Sequence, residues 1–170
     1  DFICESMLNP LYALNIKPCF YQIKDDMTPN WTELNTLVNK RTKAILMVHY
    51  FGQPQDIEKF RNFCDSHKLY LIEDNAHGHG GKYNGRLLGS FGDIGFSSPR
   101  KILNLYSGGI LFINREDLDP VNIPNLPEYP VRTYMRILNF IKTHFLSVNH
   151  YLNFYLKKRP PYENPQGFRE

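Results

Sequence analysis

Two adjacent carboxylates stand at the end of an apolar run and are followed at once by small residues. The run 69–73 ends at Glu73, Asp74 comes next, and His77 lies among glycines at positions 78, 80 and 81. Carboxylates at the carboxyl end of a parallel strand lie where open α/β sheets bind ligands, and glycines let the backbone approach a ligand closely. The stretch therefore predicts a ligand site. Taken alone, the two carboxylates could equally mark a solvated strand end, and His77 could equally be a structural histidine.

A lysine follows the next apolar strand directly. Lys101 comes after residues 94–97 and stands beside Arg100, and two glycines at 108–109 precede the next apolar run. An amine attacks an aldehyde only when it is uncharged, and burial near a second cation favours the uncharged form. A single lysine in such a place is more often a surface residue, so the prediction of a nucleophilic amine depends on its combination with Asp74.

Helices and strands alternate along the chain, and this order positions both groups. The predicted elements are helix 3–15, strand 19–23, helix 31–39 with Asn30 as its cap, strand 43–50, helix 56–67, strand 69–73, and strands 94–97 and 109–114. Such alternation indicates an α/β fold with a mainly parallel sheet and helices on both faces. Right-handed crossovers then place Asp74 and Lys101 at one edge of the sheet.

The character of the chain changes after residue 115. Residues 1–115 form the predicted core domain, the proline-rich residues 116–130 form a linker, and residues 131–170 form a helical segment. Apolar and aromatic side chains recur at helical spacing over residues 131–157, which indicates a face that packs on another domain or subunit. Basic residues along that helix leave a membrane-surface helix as the less favoured alternative.

The composition is that of an ordinary soluble globular protein. The 170 residues carry a net charge of +3, and 42% of them are hydrophobic. So small a charge does not indicate nucleic-acid binding, and the longest aliphatic run, residues 44–48, is too short to cross a bilayer. Three scattered cysteines, Cys4, Cys19 and Cys64, indicate reduced thiols in a cytoplasmic protein, and we expect them to be buried.

Two other kinds of site have weak support. A dinucleotide-binding oxidoreductase would need the pattern GxGxxG straight after a strand, and the nearest stretch, residues 77–81, lacks that spacing. Zinc could use His77 and His79, but no further cysteine or histidine pair is spaced to complete a four-ligand site. We therefore expect a site without metal.

Several motifs stand in a characteristic order and at characteristic distances from one another. They are residues 42–45, 49–52, 72–77 with Gly80, Tyr83 with 85–86, 89–93, 96–101 and 108–109. Together they resemble the DegT/DnrJ/EryC1/StrS family of pyridoxal-phosphate-dependent sugar aminotransferases, which have fold type I. The resemblance runs from about residue 3 to residue 114, and so many ordered motifs are far more specific than any one of them.

The resemblance implies a role for each matched residue. Asp74 would pair with the protonated ring nitrogen of pyridoxal 5′-phosphate, and His77 would contact the cofactor near its ring oxygen. Ser97 or Ser98 would reach the phosphate, with the choice between the two left open. Lys101 would bind the cofactor covalently and then carry a proton between carbon atoms. A lysine at this position favours amino transfer over the family's dehydratases, which carry histidine there.

The implied reaction moves an amino group from an amino acid, expected to be glutamate, to a keto sugar attached to a nucleotide. It would serve the biosynthesis of cell-surface polysaccharides or secondary metabolites. The resemblance and the apolar helix 131–157 together predict a homodimer, while the charge, the short aliphatic run and the cysteines predict a cytoplasmic protein with no bound nucleic acid and no stable membrane insertion. The alternative is a truncated or degenerate relative that acts as an interaction domain without catalysis, because the family's phosphate-binding turn is expected upstream of residue 3.

Overall fold

The computed structural model describes residues 3–103, 105 and 108–118. Its helices are α1 (Glu5–Ala13), α2 (Trp31–Leu37) and α3 (Ile57–His67), and its strands are β1 (Ala44–Val48), β2 (Tyr70–Asn75), β3 (Lys82–Tyr83), β4 (Arg86–Leu87), β5 (Ile94–Ser97) and β6 (Ile110–Ile113). No helix in these ranges is long and apolar enough to cross a membrane. The chain divides into two compact units, residues 1–123 and 124–170. Most of the predicted linker, residues 119–130, and the predicted helix 131–157 lie outside the described residues.

Four strands form the main sheet, in the order β1-β2-β5-β6. Strands β1 and β5 run parallel to β2, and β6 runs antiparallel to β5. The register sets Val48 beside Asp74 and Asp74 beside Phe96, so the carboxyl ends of three strands meet at one edge. This sheet confirms the predicted α/β fold with mainly parallel strands.

Helix α3 covers one face of the sheet. Asp56 caps it by accepting a hydrogen bond from the N–H of Lys59 at 3.1 Å, and Asn30 caps α2 in the same way. Ile57, Phe60 and Cys64 lie along one side of α3 and are buried, as their spacing predicts. The other buried members of this core are Leu34, Ile45, Met47, Leu69, Leu71 and Leu88. The core thus holds α3 against the two strands that lead to the site.

Strand β1 is buried on one face only. Ile45 and Met47 are buried, whereas Ala44, Leu46 and Val48 are half-buried. An apolar run without polar alternation predicts cover on both faces. Within the described residues α3 packs against one face, and the residues on the other face are half-buried.

The thiols differ from one another in burial. Cys64 is buried, but Cys4 and Cys19 are exposed, so the prediction of three buried cysteines is wrong for those two. Burial raises the pKa of the Cys64 thiol to about 11. A thiol with so high a pKa carries little thiolate at neutral pH and is a packing group rather than a nucleophile.

Two short segments depart from the predicted elements. Residues 19–23 form no strand; a single bridge joins Ile23 to Pro29, and Pro29 has no N–H with which to extend a ladder. Strands β3 and β4 form a hairpin that was not predicted, around Asn84 and Gly85 with φ values of 48° and 80°. Asn-Gly is the usual sequence for such a two-residue turn, so the pattern was present in the chain.

Gly95 in β5 packs against the backbone of the loop that precedes the strand. A Cβ atom there would overlap the carbonyl oxygen of Gly89, which cannot rotate away as a side chain can. We expect Gly95→Ala to lower the free energy of unfolding by about 1–3 kcal/mol, the usual cost of overfilling a core. Gly109→Ala is the control, since its Cβ would make only an ordinary contact, 3.5 Å from the carbonyl oxygen of Ser97. Equal denaturation midpoints for the two variants would contradict this packing.

Candidate active site

The predicted site residues lie around the carboxyl edge of the sheet. Asp74 is next to last in β2, Ser97 ends β5, and Lys101 ends the short 3-10 turn Pro99–Lys101 that follows. His77 lies in the loop after β2. The elements thus gather these groups at the edge where parallel strands of open sheets bind ligands.

Asp74 is a buried carboxylate with one oxygen still available. Its side chain accepts a hydrogen bond at Oδ1 from the N–H of Ala76 at 2.9 Å, and no residue in the described ranges donates to Oδ2. Burial raises the pKa of this carboxyl above its usual value, and the bond from Ala76 offsets part of that rise. The charge of Lys101 also acts to lower it, as would positive charge on His77 or His49.

Lys101 is held through its backbone and presents an exposed side chain. Its N–H donates to the carbonyl oxygen of Ser98 at 3.0 Å, which closes the 3-10 turn. Both Lys101 and Arg100 are exposed. From the sequence we expected Lys101 to be buried, which would favour its uncharged amine. The described residues do not bury its side chain, because Lys101 lies in a turn and not in a packed helix or strand.

Glu73 faces away from Asp74 and has a structural role. Adjacent strand residues point to opposite faces of the sheet, and Glu73 is 0% exposed. Its carboxylate accepts hydrogen bonds from the backbone N–H groups of Gly89 at 2.5 Å, Phe91 at 2.6 Å and Gly92 at 2.8 Å. The interpretation of Glu73 and Asp74 as a carboxylate pair at the ligand site is therefore wrong for Glu73, which organises the loop before β5.

His49 completes this buried network, a role that was not predicted from the sequence. Its Nε2 lies 2.9 Å from Oε1 of Glu73, and its Nδ1 accepts from the N–H of Gln55 at 3.1 Å. Because Nδ1 is an acceptor, the ring proton is assigned to Nε2, which donates to the carboxylate. Burial raises the pKa of Glu73, but the bonds from His49 and from the loop N–H groups outweigh it, and the net pKa is lowered.

The loops that follow β1 and β2 touch through their backbones. Gly52 has a φ of +78°, and a Cβ atom there would come within 3.1 Å of both the Gly78 Cα and the His77 carbonyl oxygen. The Asn75 amide donates to the carbonyl oxygens of Gly78 and Leu88 at 3.0 and 3.1 Å. Glycine at 52 is thus required both by conformation and by close approach, and the contact fixes the loop that carries His77.

His77 is exposed beside Asp74 and stacks on an aromatic ring. The rings of His77 and Phe51 lie 6.2 Å apart between centroids and 21° from parallel. Phe51 has a φ of 55° and is 65% exposed. A bulky residue with positive φ is strained, and such residues cluster at ligand sites.

The two candidate serines have different surroundings. Ser97 is 3% exposed, and its Oγ lies 3.0 Å from Nδ1 of His79. Ser98 is half-buried, and its hydroxyl makes no hydrogen bond with any residue of the described ranges. His79, which the sequence argument weighed only as a zinc ligand, thus pairs with a serine. The described residues contain no group of three or more side chains placed to hold a metal ion.

Proteins of known identity match the part of the chain that carries these groups. The model of the DegT/DnrJ/EryC1/StrS aminotransferase family matches residues 5–121. GDP-perosamine synthase of Vibrio cholerae is 33% identical over 118 residues, which cover 68% of this chain and 32% of that protein. The dTDP-3-amino-3,4,6-trideoxy-alpha-D-glucose transaminase of Micromonospora megalomicea is 35% identical over 107 residues, 61% of this chain and 29% of that protein.

Solved structures of the same family share the fold. The Helicobacter pylori aminotransferase PseC, involved in the biosynthesis of pseudoaminic acid, has a TM-score of 0.58 and 30% identity, over 64% of this chain and 30% of that chain. A DegT DnrJ EryC1 StrS aminotransferase from Brucella abortus has a TM-score of 0.60 and 28% identity, over 68% of this chain and 34% of that chain. The chain therefore spans about a third of the length of these relatives. The motifs, the sheet and the family model agree, and the chain belongs to the DegT/DnrJ/EryC1/StrS aminotransferase family.

Proposed function

We propose that this chain provides the cofactor-binding core of a pyridoxal 5′-phosphate-dependent aminotransferase. The amino donor is an amino acid, glutamate by our expectation, and the acceptor is a nucleotide-linked keto sugar. The reaction then serves the biosynthesis of a cell-surface polysaccharide or a secondary metabolite. The single observation that carries this proposal is the buried carboxylate of Asp74, with the charges of Lys101 and His77 close enough to act on it.

The donor set suits this cofactor. A buried carboxylate with a raised pKa, to whose second oxygen no described residue donates, is stabilised by a cationic partner. The protonated ring nitrogen of pyridoxal 5′-phosphate is such a partner. An exposed primary amine at Lys101 is free to reach an aldehyde. When bound, the cofactor supplies an electron sink for the amino acid's carbon atom.

Each residue then has a task of its own. Asp74 holds the proton on the ring nitrogen, and Lys101 binds the cofactor and moves a proton between carbon atoms. His77 contacts the ring from the loop that Gly52 supports, and Ser97 or Ser98 meets the phosphate. The Glu73–His49 network keeps the end of β2 and the loop before β5 in place and takes no part in proton transfer.

The names of the relatives support the proposed substrate class. The Vibrio cholerae protein is named for a GDP-linked sugar and the Micromonospora megalomicea protein for a dTDP-linked sugar. Both names support a nucleotide sugar as the substrate here. A cytoplasmic location fits the free cysteines among the described residues.

We also propose a homodimer. Five apolar side chains of the described residues near the Lys101 turn are exposed, Ile102 at 53% and Leu111 at 51% among them, with Leu103, Leu105 and Ile110. Such apolar surface favours association, and sedimentation of the full-length protein as a clean monomer would refute it.

Replacing Asp74 tests the function. In the full-length protein, Asp74→Asn keeps the shape but removes the charge that pairs with the ring nitrogen. We expect cofactor affinity and amino transfer from glutamate to fall roughly tenfold to a hundredfold, as for loss of a hydrogen bond to a charged group. Asp117→Asn is the control, because Asp117 is exposed and pairs only with Arg115 in the described residues. Wild-type protein that binds no cofactor, or an Asp74→Asn variant indistinguishable from it, would contradict the proposal.

A further inference from the structure

The proposed function gives no role to His79, whose imidazole can donate one hydrogen bond and accept another. It lies two residues beyond His77 in the glycine-containing loop after β2, and its Nδ1 is 3.0 Å from the Ser97 hydroxyl. Ser97 is 3% exposed at the end of β5. The pair therefore joins this loop to the segment that leads into the Lys101 turn.

A serine hydroxyl has a single proton, and this limits what Ser97 can do. If the hydroxyl donates to Nδ1 of His79, it has no proton left for a ligand. If instead His79 carries its proton on Nδ1 and donates to Oγ, the hydroxyl proton is free for an acceptor. Which state holds depends on the tautomer of the imidazole. An anionic group beyond the strand end would favour the second state.

We propose that His79 is a positioning residue for phosphate recognition. It donates its Nδ1 proton to Ser97, and Ser97 in turn donates its hydroxyl proton to the phosphate of the cofactor. This rests on the proposed function and selects Ser97 over Ser98. The Ser98 hydroxyl has no supporting donor among the described residues, whereas the Ser97 hydroxyl is buried and aimed by an imidazole.

The test compares two ligands that differ only in the phosphate. Pyridoxamine 5′-phosphate and pyridoxamine lack the aldehyde, so neither forms a covalent bond with Lys101, and their affinities report non-covalent contacts. The ratio of the two affinities is measured on full-length wild type and on His79→Leu, His79→Asn, Ser97→Ala, Ser98→Ala and the double variant His79→Leu/Ser97→Ala. A variant that merely loosens the fold weakens both ligands and leaves the ratio unchanged.

We expect His79→Leu and Ser97→Ala each to reduce the preference for the phosphorylated ligand roughly three- to tenfold, the effect of one lost hydrogen bond. The double variant should lose no more than either single variant, because the two residues act as one unit. His79→Asn should restore most of the preference, since its amide also donates a proton. If His79→Leu does not fold, His79→Ala, which also lacks a donor, takes its place in the comparison.

Four results would overturn the proposal. They are an unchanged ratio in His79→Leu, an unchanged ratio in Ser97→Ala, additive losses in the double variant, and loss of the preference in Ser98→Ala with Ser97→Ala unaffected. In each case wild type still prefers the phosphorylated ligand, so the aminotransferase proposal stands. Wild type that binds neither ligand would refute both.

Discussion

Lys101→Ala is expected to abolish amino transfer by the full-length protein, with a loss of at least about a thousandfold in kcat. The reason is that the side chain has two tasks, covalent binding of the cofactor and transfer of a proton, and a positioned acid–base group alone contributes on the order of 10²–10⁴-fold. Steady-state transfer from glutamate to a nucleotide-linked keto sugar measures the effect.

The matched control for this variant is Lys82→Ala. Lys82 is also an exposed lysine, but it lies in the β3–β4 hairpin. The Lys82→Ala variant should transfer the amino group at the wild-type rate. The Lys101→Ala variant should still hold cofactor weakly, because Asp74 and the other contacts remain. Transfer that survives in Lys101→Ala, or is lost equally in Lys82→Ala, would contradict the assignment of the amine.

Glu73→Gln is expected to lower the free energy of unfolding at pH 7 by about 3 kcal/mol, the cost of leaving buried donors to a charged group unpaired. The Glu73 carboxylate accepts from three backbone N–H groups and from His49. An amide replaces one of its two oxygens with a donor, which leaves N–H groups of the loop unpaired in the interior. Urea denaturation measures the loss.

The effect of Glu73 has a defined dependence on pH. Burial raises the pKa of Glu73, yet the hydrogen bonds outweigh it and hold the folded value below the ordinary 4.5. A depressed folded pKa contributes stability that is fully present above the ordinary value and is lost as pH falls through the folded one. The gap between wild type and Glu73→Gln should therefore stay constant from about pH 6 to 8 and narrow below about pH 4.

The exposed carboxylate Glu58 provides the control for this variant. Glu58 accepts a hydrogen bond from the Tyr83 hydroxyl at 3.0 Å at the surface, and surface pairs of this kind contribute little. Glu58→Gln should leave the midpoint nearly unchanged. A Glu73→Gln variant as stable as Glu58→Gln, or a gap that widens in acid, would contradict the structural role of Glu73.

Local patterns predicted the helices and parallel strands well because their causes are local. The spacing of Ile57, Phe60 and Cys64 and the capping oxygen of Asp56 are enough to define α3. The segment 19–23 has strand-like residues as well, but within the part of the chain that the structure describes it forms a single β-bridge, at Pro29, which has no N–H to extend a ladder. Strand formation depends on a partner, which a single segment does not reveal.

The site was predictable in its residue types and less so in its pairings. The positions of Asp74 near the end of β2 and of Lys101 just after β5 follow from the strands themselves, whereas the partners of Glu73 come from 16 to 24 residues away. Side chains alternate along a strand, so Glu73 and Asp74 lie on opposite faces of the sheet. The predicted strand, residues 69–73, left Asp74 outside it, whereas the observed strand, residues 70–75, includes both. The contact between His79 and Ser97 depends on how a whole loop folds back, which no spacing in the sequence states.

The most direct measurement is the identity of the lysine that binds the cofactor. Full-length protein is supplied with pyridoxal 5′-phosphate, treated with borohydride to make the bond permanent, digested, and mapped by mass spectrometry. The aldehyde should react with the amine held near Asp74 in preference to other surface amines. We expect one dominant modified residue, Lys101. A label on Lys82, or one scattered over many lysines, would contradict the proposed site.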